Sequence, residues 1–285
     1  MRRRAAVELA EVSAPAPPAR KTALNAALLT WFRQAKRDLP WRRTKDPYAV
    51  WISEVMLQQT QVATVIPYWE RFLSRFPDVK TLASAPVDDV LALWSGLGYY
   101  ARARNLHRAA GALANEHAGR FPRSLSALRA LPGFGPYTAA AVGSIALGLD
   151  AALVDGNVAR VLCRLEGWRL GSEAAREKAW VLAPELIPVG EAGDWNQALM
   201  ELGATVCTPQ APRCDACPVA SLCPAKEQGD PAQYPLAKVR RARKQLRYAA
   251  IAIREAQSVL LIRRDEKGLF GGLWDLPSRE VVGEV

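Results

Sequence analysis

The chain reads as an all-α body followed by a short β-rich segment, and three observations lead there. Apolar residues recur at three and four positions through most of the first two hundred residues. Short connections separate these stretches, and alternating strand patterns are absent until after Pro224. Half of the 285 residues are apolar, enough for more than one core, so two or three domains are expected.

The first twenty residues, "MRRRAAVELAEVSAPAPPAR", begin with arginine but then mix alanine, proline and acids. They lack the continuous apolar stretch of a secretory signal, so residues 1–21 are read as a disordered tail. Glu8 and Glu11 make an organelle address the weaker reading. No apolar run approaches the length a bilayer needs, so no membrane association is expected, and a cytoplasmic location is the expectation if the source is bacterial.

The helical body is placed at 22–206. "TALNAALLTWFRQAKRDLP" offers Thr22 as N-cap, an apolar stripe through Leu24, Leu28, Leu29 and Phe32, and a stop at Pro40. "DPYAVWISEVMLQQ" opens with Asp46 as cap and Pro47 at the first helical position. "APVDDVLALWSGLG" ends on glycines, and "YYARARNLHRAAGALANEH" follows as a long helix. "NVARVLCRLEG", "SEAAREKAWVLAPELI" and "GDWNQALMELGATV" complete the set. Residues 225–245 are polar, then strongly basic, and read as a linker; "KVRRARKQLR" could track phosphates or simply be solvated. Residues 246–285 look like strands with turns at "REAQ" and "DEKGLFGG", too few for an independent core, and are read as the opening of a larger β-containing domain.

Net charge is +10, with an isoelectric point near 9.6. Such a surplus favours a polyanionic partner, most often nucleic acid, although ordinary solubility charge would also produce it. Of five cysteines, four crowd into "CTPQAPRCDACPVASLC", residues 207–223. Without a secretion signal these are metal ligands before they are disulfides, and four thiolates suit zinc or an iron–sulfur cubane. Cys163, amid apolar neighbours, is read as a buried small hydrophobe.

Two further stretches carry chemistry. Around "ALRALPGFGPYTAAAVGSIALG", residues 127–148, the reading is two helices with a tight reversal between them, a helix-hairpin-helix placed at 124–147. Gly133 and Gly135 can take positive φ and leave N–H groups uncovered, and the following helix start adds partial positive charge. The corner could hold a phosphate or be a packed turn. In "LVDGNVAR", Asp155 and Asn157 could be helix caps, or an acid set beside that corner. A third stretch, "SEVMLQQTQV", holds Glu54 as the one charge between Asp46 and Glu70, with Val50, Trp51, Leu57 and Gln58 as its helical neighbours. Such surroundings favour a protonated carboxyl.

"LPGFGPYTA" followed by "VDGNVAR" resembles the helix-hairpin-helix base-excision DNA glycosylases, and the Cys-x6-Cys-x2-Cys-x5-Cys run resembles the 4Fe-4S loop of one branch of that superfamily. "LPWR", "DPYAVWISEVMLQQTQVATVIPYWERF", "LWSGLGYYARARNLH" and "NQALMELGATVC" are similar to the A/G-specific adenine DNA glycosylases, the MutY family, from about residue 25 to residue 224. The resemblance implies a two-lobed body and a 4Fe-4S cluster on Cys207, Cys214, Cys217 and Cys223. Its substrate would be adenine mispaired with 8-oxoguanine or guanine in duplex DNA, and the protein a monomer.

Glu54 matches the family's general acid, donating toward adenine N7. Asp155 would stabilise the oxocarbenium-like sugar, with Tyr137 and Asn157 lining the pocket. Trp41, Arg42, Leu57 and Glu201 resemble positions around the extruded adenine, while Gln59 and Tyr99 resemble groups entering the duplex near the orphaned base. Gly133 and Gly135 would grip the backbone. Lyase-active relatives carry a lysine where Tyr137 stands, and a phenol forms no Schiff base, so little or no β-lyase activity is expected. The β segment resembles the start of the family's Nudix-like domain, without a Nudix catalytic box. A pyrimidine-directed iron–sulfur glycosylase, a non-catalytic iron–sulfur DNA-binding protein and a zinc module are the alternatives.

Overall fold

The structure, a computed structural model, describes residues 18–237, 246–265 and 271–281. Contacts divide the chain into two units, Met1–Lys238 and Val239–Val285.

The first unit is helical. Helix α1 (Pro18–Ala35) begins four residues before Thr22, so residues 18–21 belong to the helix and not to a tail. Thr22 is not its cap; the hydroxyl donates back to Pro18 O at 3.0 Å. The helix also ends well before Pro40, because the Arg37 N–H leaves the helical ladder to donate to Glu201 Oε1 at 3.1 Å. A 3-10 turn, Pro40–Arg42, then leads to α2 (Pro47–Met56). Asp46 caps α2 by accepting from the Tyr48 and Ala49 N–H groups, with Pro47 in the first turn as the sequence predicts. Every residue of α2 from Tyr48 to Met56 is buried.

That burial follows from position. One apolar core joins α2 to α3 (Val62–Arg75), α4 (Val79–Ser84), α5 (Val87–Trp94), α6 (Ala101–His117) and α7 (Leu125–Ala130), through Trp51, Phe72, Phe76, Trp94 and Leu106. A second core joins α1 to α9 (Gly156–Leu165), α10 (Ser172–Leu186) and α11 (Ala192–Thr205), through Phe32, Leu162, Trp195 and Leu199. Helix α8 (Pro136–Leu147) serves both: Ala139 and Val142 face the first core, Ala140, Ala141 and Ile145 the second. The body is two-lobed, and α2 packed on α8 forms its seam. Small residues permit the close approach. A Cβ on Gly193 of α11 would lie 2.6 Å from Ser144 O of α8.

The reversal between α7 and α8 is the expected hairpin. Gly133 has φ +76°, and a Cβ there would meet Asn105 Cβ of α6 at 2.7 Å. Gly135 does not take positive φ; it is extended (φ −71°, ψ 176°) and is the N-cap position of α8. Its missing side chain leaves open space at the start of the helix, since a Cβ there would meet nothing within 4 Å.

The stretch expected as a linker from 225 remains part of this unit up to its last described residue, Ala237. Tyr234 is buried, Arg164 Nε holds Tyr234 O at 2.9 Å, and the Leu236 N–H donates to Leu170 O. The basic residues Lys238, Arg240, Arg241, Arg243 and Lys244 lie outside the described residues. Cys163 is fully buried, its thiol donating to Trp168 O.

The second unit contains the strands expected of it. β1 (Tyr248–Ala250) pairs antiparallel with β6 (Ser278–Glu280), β2 (Arg254–Glu255) with β3 (Ser258–Val259), and β4 (Ile262–Arg263) with β5 (Trp274–Asp275). Ile251, Ile253 and Trp274 are exposed there.

Candidate active site

A cleft of about 630 Å³ opens at the seam of the two lobes. It gathers Trp41 and Arg42 from the 3-10 turn, Glu54, Leu57 and Gln59 from α2 and the loop after it, and Tyr137 from the first turn of α8. Asp155 and Asn157 enter from the start of α9, and Glu201 from α11. Tyr99, Gly133 and Gly135 stand outside it.

Glu54 is 6 % exposed. Burial pushes its carboxyl up to about 7; the Asp155 charge adds to the rise, while the Tyr137 hydrogen bond and Arg42 oppose it. The Tyr137 hydroxyl donates to Glu54 Oε2 at 2.7 Å and also approaches Met200 Sδ at 3.4 Å. Burial raises the phenol well above its ordinary range, helped by the Glu54 and Asp155 charges, so it remains a donor at neutral pH.

The raised carboxyl has a stability consequence. The proton on Glu54 stabilises the fold fully below the unfolded value near 4.5, and that contribution is lost as pH rises through about 7. Glu54→Gln should therefore unfold at higher urea than the parent at about pH 8.5, by roughly 3 kcal/mol, with the two converging near pH 5. Urea titrations at both pH values measure this; equal midpoints at the higher pH would contradict it.

Asp155 is the N-cap of α9, as the cap reading expects, and it also lines the cleft. Its Oδ1 accepts from the Val158 N–H at 2.7 Å and its Oδ2 from Asn157 Nδ2 at 2.9 Å. Two donated hydrogen bonds at a helix N-terminus suit a negative carboxylate. Asn157 is fixed in turn by Arg160 Nη2, which donates to its Oδ1 at 2.9 Å and to Gly203 O at 2.7 Å. Gly203 lets α11 close on this point, since a Cβ there would sit 2.6 Å from Asn157 Cβ.

Glu201, expected near the base, lines the cleft with its carboxylate held by two arginines. It is 1 % exposed, and its carboxylate accepts from the Arg37 backbone N–H, Arg37 Nε (2.7 Å), Arg37 Nη2 (2.8 Å) and Arg42 Nη2 (2.9 Å). Burial alone would push it up, but the hydrogen bonds from Arg37 and Arg42 win and hold it at about 2. Arg42 and Glu201 thus line the cleft and at the same time bracket α11 to the segment after α1. Trp41 and Leu57 line the cleft with apolar surface.

Gln59 and Tyr99 lie on two loops and both have positive φ, +59° and +50°. Gln59 is exposed, and Tyr99 is 60 % exposed. Left-handed backbone is uncommon for residues with a Cβ and collects at functional sites.

Cys207, Cys214, Cys217 and Cys223 are free and line a single small pocket. Arg164, buried in α9, donates to Cys207 Sγ at 3.1 Å and to the carbonyls of Cys207, Thr208 and Pro209. Arg160 Nε reaches Cys207 O as well. Among the described residues no three His, Cys, Asp or Glu close around a single ion. Four thiols ringing a cavity fit a polynuclear cluster better than one zinc. The arginines Arg37, Arg160 and Arg164 escape the sequence reading. Only Arg164 carries a signal, as a charge inside the apolar run "VLCRL".

A larger groove, about 1120 Å³, runs beside α10, but its carboxylates Glu173 and Glu177 are exposed and unpaired with any buried acid.

Residues 52–185 match the family model for the HhH-GPD superfamily base excision DNA repair protein, and residues 207–223 match the iron-sulfur binding domain of endonuclease III. The chain thus carries the iron–sulfur loop of that branch, and its cofactor is a 4Fe-4S cluster. A human adenine DNA glycosylase is 50 % identical over 218 residues, 73 % of this chain and 40 % of its own length. The chain therefore spans less than half of that relative. An adenine DNA glycosylase of Buchnera aphidicola subsp. Schizaphis graminum is 36 % identical over 254 residues, 88 % of this chain and 73 % of its own. The solved structure of a thermostable thymine-DNA glycosylase superposes with a TM-score of 0.67 at 32 % identity, covering 74 % of this chain and 98 % of that one. On that identity and coverage, the chain belongs to the adenine DNA glycosylase (MutY) family of helix-hairpin-helix proteins.

Proposed function

We propose that the protein hydrolyses the N-glycosidic bond of adenine mispaired with 8-oxoguanine or guanine in duplex DNA, as a base-excision repair step without β-lyase chemistry. The observation that carries this reading is the buried Glu54 carboxyl, raised to about 7, in one cleft with Asp155. An acid near neutrality can protonate a purine nitrogen, which a pyrimidine leaving group does not offer in the same way.

Glu54 gives its proton to adenine N7 as the bond from C1′ to N9 breaks, and both bonding electrons leave with the base. The Asp155 carboxylate, held toward the cleft by Val158 and Asn157, stabilises the sugar cation. Water adds at C1′ and its proton returns to a carboxylate, leaving an abasic sugar and free adenine. Tyr137 holds the acid through its 2.7 Å hydrogen bond and supplies no amine for a Schiff base. Trp41 and Leu57 offer apolar surface to the extruded base, Gln59 and Tyr99 fill the gap it leaves, and the turn at Gly133 with the open start of α8 at Gly135 takes a phosphate. The 8-oxoguanine contact is assigned to the β segment, as the start of a Nudix-like domain.

Cys207, Cys214, Cys217 and Cys223 would hold the cluster, which when bound cross-links the loop through four iron–thiolate bonds. Cys217→Ser should bleach the brown visible absorption and open residues 207–223 to protease; a loop that stays protected without colour would contradict a cross-linking role.

The reading is tested by incubating the purified protein with duplexes carrying A·8-oxoguanine, A·G, A·T or T·G. Strand cleavage only after alkali, on the first two, supports it. Cleavage without alkali would remove the monofunctional assignment, and action on T·G alone would favour a thymine enzyme, the activity named for the superposed structure.

A further inference from the structure

We infer that Arg102 is a positioning residue that sets Gln59 and Tyr99 as one coupled wedge, an inference that rests on the duplex-entering role given to those two residues above.

Arg102 is the second residue of α6 and its guanidinium spans two loops. On one side Nη1 donates to Val55 O at 2.9 Å, Met56 O at 3.0 Å and Gln58 O at 2.6 Å. On the other, Nη2 donates to Leu97 O at 3.0 Å and Gly98 O at 3.2 Å, and it also reaches Thr60 Oγ1 at 3.3 Å. The acceptors flank the two exposed positive-φ residues: Gln58 and Thr60 enclose Gln59, while Leu97 and Gly98 lead into Tyr99. The charge also lies 5.4 Å from the Tyr99 ring centroid and 5.3 Å from that of Trp94.

Three features separate this from ordinary packing. All six acceptors are carbonyls or a hydroxyl in the two loops and the end of α2, and no other single side chain bonds to both loops among the described residues. Val55 and Met56 close the last turn of the helix that carries Glu54, so the same guanidinium ties both loops to the catalytic helix. The planar fork is what permits this; an ammonium at the same place has three donors and no fixed plane. The Tyr99 loop is further held at its far end, where the Tyr68 hydroxyl donates to Ser95 O at 2.7 Å. The two loops thus share one set of hydrogen bonds, which supports the left-handed backbone at Gln59 and Tyr99. Removing the shared guanidinium should release both residues together.

The test uses the cluster-loaded full chain and its Arg102→Lys variant. The probe is a duplex with a tetrahydrofuran abasic analogue opposite 2-aminopurine, whose fluorescence reports disturbance of the orphaned base. Arg102→Lys should melt near the parent, lose most of the fluorescence change, and excise adenine about 10-fold more slowly in single turnover. In a Gln59→Ala/Tyr99→Ala background the same exchange should cost less than about 2-fold more, because the groups it acts through are gone. An unchanged fluorescence response, or a full rate loss in that background, overturns the inference. Should Arg102→Lys fail to fold, the Gln59→Ala and Tyr99→Ala cycle in the parent decides: non-additive losses support coupling and additive losses overturn it. The abasic probe contains no adenine to excise, so a protein that enters it but cuts no adenine would overturn the substrate assignment alone.

Discussion

Glu54→Gln and Asp155→Asn should each lower the single-turnover rate of adenine excision by about 10²–10⁴-fold while leaving binding to an abasic-analogue duplex intact. Glutamine keeps the volume of Glu54 and can still accept from the Tyr137 hydroxyl, but it has no proton to give. Asparagine at 155 can still cap α9 through the Val158 N–H, so the helix start is preserved while the negative charge beside C1′ is removed. Rapid-quench measurement of base release gives the rates, and a mobility shift gives the binding. A rate within a few-fold of the parent for either variant would take that carboxylate out of the chemistry.

Glu201→Ala should destabilise the first unit by about 3–5 kcal/mol, the cost of removing one partner from a buried ion pair. The two carboxylate oxygens accept every hydrogen bond that ties Arg37 and Arg42 to α11, and Arg42 is itself largely buried. With its folded value near 2, Glu201 contributes stability that is present above the ordinary carboxylate range and lost as pH falls toward 2. Chemical denaturation at neutral pH measures the effect, and Glu201→Gln separates two roles. A bracket loses stability and activity together; a base-reading group loses activity at unchanged stability.

Much of this was legible in the residues, for physical reasons that differ by element. Asp46-Pro47 is a cap and first turn whatever surrounds it, and the apolar neighbours of Glu54 announce its burial before any packing is seen. Gly133 and the cysteine spacing are equally local. What was not legible depends on partners far along the chain. The end of α1 is set by Glu201, more than 160 residues away, and not by Pro40. Glu201 and Arg42 have the chemistry to read a base, but each also has the chemistry to bind the other, and only the fold shows that they are paired. Gly135 has a conformation open to any residue, so its role as bare surface needed the structure. Arg102 and Arg160 act on carbonyls, which no sequence pattern marks.

The measurement that bears most directly on the mechanism is the single-turnover rate of adenine release from an A·8-oxoguanine duplex as a function of pH. A buried acid at about 7 gives a rate that is flat on the acidic side and falls about tenfold per pH unit above neutrality. A rate that stays level to about pH 9 would show that no proton from Glu54 enters the transition state.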